Sequence, residues 1–77
     1  MPVSAFLFVE CAPDQVRRAL ARLKQVPGVR YAHGVTGEHD LIAMIEAPDV
    51  EILGKVVLER VQSIPGVHRT ITNLVVQ

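Results

Sequence analysis

Seventy-seven residues leave room for one domain, and a domain of that size buries only roughly 60% of the surface its unfolded chain exposes. Eight basic residues balance eight acidic ones and tryptophan is absent, so neither the charge excess nor the stacking surface of a nucleic-acid binder is present. A single cysteine excludes an internal disulfide and fits a reducing compartment, and no apolar run reaches membrane-spanning length.

Strand-like sequence begins at Val3 with no charged and apolar leader before it, so a soluble cytoplasmic protein is expected. Residues 3–11 alternate as a strand, with Phe6, Phe8 and Glu10 on one face and Ala5, Leu7, Val9 and Cys11 on the other. Both faces are largely apolar, which predicts a central strand covered on both sides. Residues 13–25 follow as a helix. Pro13 suits its first position, Asp14 and Gln15 suit the positive end of its dipole, and Val16, Ala19, Leu20 and Leu23 make one apolar stripe. Arg17, Arg18, Arg22 and Lys24 read as its solvated face, and direct binding to DNA or RNA is not expected.

Pro27-Gly28 ends the helix and leads into a strand over 29–36, where Arg30, His33 and Gly34 mark a sheet edge. Residues 36–40 form a hairpin loop in which Gly37 is free to take positive φ. The unbroken apolar run in 41–47 predicts a second central strand. Residues 48–63 form the second helix, with Val50, Leu53, Val57 and Val61 as a core stripe leading to Ile64, widened by Ile52 and Val56. The last strand covers 67–77, with Thr70, Thr72, Leu74 and Val76 on one face and Ile71, Asn73 and Val75 on the other.

The same unit occurs twice. Val26-Pro27-Gly28-Val29 closes the first half and Ile64-Pro65-Gly66-Val67 the second, 65 − 27 = 38 residues later. Each is preceded by an apolar run ending in Ala-Pro-Asp, at Asp14 and at Asp49. A βαβ unit repeated in one small chain predicts the α+β, ferredoxin-like βαββαβ fold. Right-handed crossovers then give a four-stranded antiparallel sheet in the order 4-1-3-2 with both helices on one face. Apolar residues make up 49% of the chain and charged ones 21%. That exceeds what two helices on one sheet face require, so self-association is expected.

Few side chains suggest chemistry. His33, His39 and His68 lack the short pairing of a helical ligand set, so neither a metal nor a cofactor is expected. Cys11 has no neighbouring base and reads as a small buried residue. Glu38 and Asp40 read as a polar turn, not as a catalytic carboxylate pair. The turn as a whole offers more. Thr36, Gly37 and Asp40 bring a hydroxyl, backbone N–H groups and a carboxylate into one short loop, the complement of a zwitterionic amino acid. Asp40 equally suits a hairpin turn in which its carboxylate bonds the backbone, and the residues alone leave both roles open.

The run Gly34-Val35-Thr36-Gly37-Glu38-His39-Asp40-Leu41-Ile42-Ala43, followed by Leu53, Val57 and Val61, then Ile64-Pro65-Gly66-Val67 and Thr70-Ile71-Thr72, resembles a known pattern. It is similar to the C-terminal effector domain of the Lrp/AsnC transcription regulators, also called the RAM domain, over essentially the whole chain. The resemblance implies dimers packed sheet to sheet, rings of dimers (commonly octamers), and amino-acid effectors held between dimers. The effector would sit against the turn after the second strand and the start of the fourth. Carried over by position, the ligand-facing residues are Val35, Thr36, Gly37, Asp40, Thr70 and Thr72.

Full-length members of the family carry an N-terminal helix-turn-helix domain. This chain begins at the first strand, so residues 1–77 are expected to be a single ligand-binding and oligomerisation domain without a DNA-binding part. Such a module senses an amino acid or co-assembles with full-length regulators. The topology also serves two other functions. One is a small enzyme of the dimeric α+β barrel type, with Glu10 and Thr72 facing the cavity between sheets but no evident base–nucleophile pair. The other is a pure assembly partner without a ligand.

Overall fold

A computed structural model describes residues 2–77. Its strands are β1 (Val3–Cys11), β2 (Val29–Gly34), β3 (Leu41–Ala47) and β4 (Val67–Leu74), and its helices are α1 (Val16–Leu23) and α2 (Val50–Val56). The strands form one antiparallel sheet in the order β2-β3-β1-β4, which is the expected 4-1-3-2 read from the other edge. The fold is ferredoxin-like.

Alternation along the two central strands sorts the side chains. Ala5, Leu7, Val9 and Cys11 of β1 and Leu41, Ala43, Ile45 and Ala47 of β3 are all buried, and they form one core with Ala19, Leu23, Leu53, Val57 and Val61 from the helical segments. The residues between them point to the opposite, helix-free face. There Phe6 lies across from Met44, and Phe8 lies between Ile42 and Ile71. All five are half-buried.

The repeated Φ-Pro-Gly-Val motif (Φ an apolar residue) has a single physical explanation. Val26 and Ile64 are buried at the ends of the two helical segments, and their carbonyls accept from Val29 and Val67 N–H, each at 3.1 Å. With Pro at the second position and Gly at the third, at φ of 93° for Gly28 and 91° for Gly66, each motif is a type II turn. The turns also bind the two halves together. Gly28 carbonyl accepts from Glu46 N–H and Gly66 carbonyl from Ala12 N–H, both at 2.9 Å. Each half thus fastens its bend to the end of the other half's first strand.

Several element ends differ from expectation. The second strand stops at Gly34, not at 36, because Val35 leaves the ladder to close the turn through its bond to Asp40 carbonyl. The fourth strand stops at Leu74, not at 77; Val75 N–H makes one more bond to Ser4 carbonyl, after which β1 offers no partner. The first helix opens as a 3₁₀ turn, Pro13–Gln15. The second begins at Val50, since Asp49 is extended and its Oδ1 caps Ile52 N–H at 2.8 Å. It continues as a wider π turn over Val57–Val61, marked by the bond from Gln62 N–H to Val57 carbonyl. Val50, expected in the core stripe, is 54% exposed at the first position of α2.

Candidate functional site

Residues 35–40 connect β2 to β3, with Val35, Thr36, Gly37 and Glu38 exposed and Gly37 at φ 108° in open space. Asp40 forms the base of this turn. Its carbonyl accepts from Val35 N–H at 2.9 Å, its own N–H donates to Val9 carbonyl at 3.0 Å, and its Oδ2 accepts from Cys11 N–H at 2.8 Å. Among the described residues the N–H groups of Thr36, Gly37, Glu38 and His39 meet no protein acceptor. They are the free donors of the turn.

His39, expected to be a loop residue of no special placement, folds back onto the open sheet face. Its ring centroid lies 5.0 Å from that of Phe8, and its Nδ1 is 3.8 Å from Glu10 Oε2, buried and without a hydrogen-bond partner among the described residues. Arg69 Nε approaches the same carboxylate oxygen at 4.0 Å. The small residue expected at Cys11 is buried, and burial followed by the nearby charge of Asp40 pushes its thiol pKa above the ordinary 9.0. That disfavours the thiolate a nucleophile requires.

Thr70 and Thr72 lie on the other side of β1. Thr70 pairs with Val9 and Thr72 with Leu7, which puts both on the helix-covered face of β4. Gln62, immediately after the π turn, donates from Nε2 to Thr70 Oγ1 at 3.0 Å. Thr72 lines an apolar groove of about 390 Å³ with Leu53, Gly54, Val57, Leu58 and Leu74, and Gln62 stands at its polar end. The structure therefore brings Val35, Thr36, Gly37 and Asp40 together in one turn and puts Thr70 and Thr72 on one face of β4, with Thr72 in the groove and Thr70 beside it, bonded to Gln62. Within a single chain β1 separates the two groups. Gln62 was not expected at the site: its contact crosses the Pro65-Gly66 bend, and no local pattern announces it.

One expectation of the enzyme alternative fails on register. Glu10 lies on the open face beside Arg69, whereas Thr72 lies on the helix-covered face, so they share no cavity. Among the described residues no group of three or more His, Cys, Asp or Glu side chains converges as a metal site would require.

A domain whose open features are a donor-rich turn, a groove and an uncovered sheet face belongs to the class of small α+β binding modules. The model of the Lrp/AsnC ligand binding domain matches residues 4–77, and the chain belongs to that family. The HTH-type transcriptional regulator PH1916 of Pyrococcus horikoshii is 32% identical over 72 residues, covering 90% of this chain and 48% of the relative. The chain thus spans about half the length of that curated relative. A homocitrate synthase of Sulfurisphaera tokodaii is 29% identical over 97% of this chain, which is 16% of the enzyme. Among solved structures, TTHA0845 from Thermus thermophilus superposes with a TM-score of 0.93 at 32% identity, covering 97% of this chain and 94% of that one. The transcriptional regulator NMB0573 of Neisseria meningitidis, solved as a complex with L-Met, has a TM-score of 0.86 at 23% identity over 97% of this chain and 50% of its own, and shows the shared fold.

Proposed function

We propose that this chain is a non-enzymatic, self-associating regulatory module that binds a small amino acid effector between dimers and modulates full-length Lrp/AsnC-type regulators by co-assembly. The observation that carries the proposal is the turn at 35–40, which presents four unengaged N–H groups in a domain that belongs to a ligand-binding family. The L-Met complex of the meningococcal neighbour supports an amino acid as the effector class. The effector's carboxylate is received by the free N–H groups of the turn around Thr36 and Gly37, which Val35 and Asp40 close at its base.

Because β1 separates this turn from Thr70 and Thr72 within one chain, a complete site takes the turn from one protomer and the threonine pair from a neighbour. The ring of dimers, such as an octamer, supplies that arrangement. Rings enclose the effector and exclude water, which strengthens each hydrogen bond to it. No helix among the described residues is long and apolar enough to cross a membrane. With the single, reduced Cys11, this supports action in the cytoplasm, with neither membrane nor nucleic acid as a direct partner.

A second reading is favoured by the homocitrate synthase match, in which such a domain occurs within a metabolic enzyme. The module would then report an amino acid to an enzyme in place of a DNA-binding regulator. Effector binding is common to both readings and is tested by thermal shift with each of the common amino acids. An effector at a hundredfold excess over its Kd stabilises by about 2.7 kcal/mol, enough to raise Tm by roughly 10–20 °C in a domain of this size. Uniform silence across the panel at millimolar concentrations counts against the module as an effector sensor.

A further inference from the structure

Cys11 is 6% exposed, and its N–H lies beyond the last regular β1–β3 pair, Val9 with Leu41. A buried N–H without an acceptor is costly, and the acceptor here is a side chain, Asp40 Oδ2 at 2.8 Å. The backbone of the same residue holds the turn closed from its other end, through Val35 N–H to Asp40 carbonyl and Asp40 N–H to Val9 carbonyl. Asp40 therefore joins the exit of β2, the entry of β3 and the end of β1.

Resting on the reading of the turn as an effector site, we infer that Asp40 is a positioning residue that fastens the turn to β1, and that the free N–H groups of Thr36, Gly37, Glu38 and His39 are the ligand-facing donors. The turn then selects the carboxylate end of an amino acid. Successive N–H groups around a glycine at positive φ suit an anion, and Asp40 is committed to Cys11. The same strut fixes the turn relative to β4. One residue after Cys11, Ala12 N–H donates to Gly66 carbonyl at 2.9 Å, and the pairing of β1 with β4 shifts register between Glu10 and Cys11. The two groups of candidate ligand residues, on opposite sides of β1, are thus both referenced to the end of that strand.

The experiment compares Asp40→Asn with Asp40→Ala in the intact oligomer. The asparagine retains an oxygen for Cys11 N–H but no charge for an ammonium group, whereas the alanine retains neither. Hydrogen exchange at the Cys11 amide should stay protected in Asp40→Asn and quicken by about ten- to a hundredfold in Asp40→Ala, the loss expected for one charge-assisted hydrogen bond. Calorimetric titration with each of the common amino acids should show affinity retained in Asp40→Asn and lost in Asp40→Ala. It should also show the corresponding amino acid amide binding at least about tenfold more weakly to the wild type.

The inference is overturned if Asp40→Asn loses affinity as fully as Asp40→Ala while the Cys11 amide remains protected, because the charge then contacts the effector. Equal affinity for the amide overturns the carboxylate assignment. If no amino acid binds the wild type, the proposed function fails, and hydrogen exchange alone still decides the strut. Protection surviving in Asp40→Ala contradicts it, and protection lost there but kept in Asp40→Asn supports it.

Discussion

Gly28 and Gly66 occupy matching positions in the two type II turns, at φ 93° and 91°. A Cβ at Gly28 would overlap the Glu46 carbonyl oxygen and one at Gly66 the Gln15 side chain. Alanine at either position therefore adds overlap to about 1–3 kcal/mol of backbone strain, and neither clash is relieved by a rotamer change, since the atoms met are the Glu46 carbonyl oxygen and the Gln15 Cβ. Gly54, by contrast, lies in α2 with open space around it, so Gly54→Ala should stabilise by about 0.5–1 kcal/mol. Urea denaturation at one fixed protein concentration ranks the three. At Cys11 the pKa is raised by burial and then by Asp40. The folded state therefore keeps its proton where the unfolded thiol has lost it, and stability should hold below pH 9.0 and fall as pH rises through the folded pKa. Cys11→Ala should lack that alkaline loss in parallel denaturation curves, and equal curves would show that the thiol carries no such linkage. The two glycines were legible as turn residues from Pro-Gly alone. The bond from Asp40 to Cys11 was not, because it joins residues 29 positions apart whose approach depends on where β1 and β3 stop pairing.

At the scale of elements, one tripeptide plays two parts. Asp49 caps α2 through Ile52 N–H, whereas Asp14 lies inside a 3₁₀ turn that has no side-chain cap. Asp49→Ala should cost about 1 kcal/mol, and Asp14→Ala should stay within about 0.5 kcal/mol of wild type. Thermal unfolding of the two variants compares them, and equal losses would contradict the difference in capping. Alternation in β1 and the apolar run of β3 made the sheet order readable, since only central strands need cover on both faces. The helix ends were less readable. From Asp14 to Asp49 the repeat advances 49 − 14 = 35 residues, and between its Pro-Gly bends it advances 38, so the second unit is 38 − 35 = 3 residues longer. Sequence periodicity does not show that a π turn follows α2, nor that Gln62 then reaches Thr70.

For the molecule as a whole, the open sheet face is the main unsatisfied surface. Phe6, Phe8, Ile42, Met44 and Ile71 form its apolar centre, with Glu10, Arg69 and His39 at one end and the 3.2 Å Arg30–Glu46 pair at the other. Exposed ion pairs of this kind add little, so association through this face depends on the apolar centre. Replacing Phe8 or Ile42 by Asp removes up to about 1.5–3 kcal/mol of burial from each protomer and should weaken the proposed dimer by at least roughly tenfold. Light scattering across a dilution series reads that change, and an unaltered mass would place the dimer elsewhere. Rings of dimers would bring one protomer's turn against another's β4, and the proposed effector site requires that meeting. NMR mapping tests it most directly, with each common amino acid titrated into the labelled protein. The account predicts that at least one amino acid perturbs Thr36, Gly37 and His39 together with Thr70 and Thr72, and that the two sets saturate at a single concentration. Perturbations confined to α1, or none with any amino acid at millimolar concentration, would contradict it.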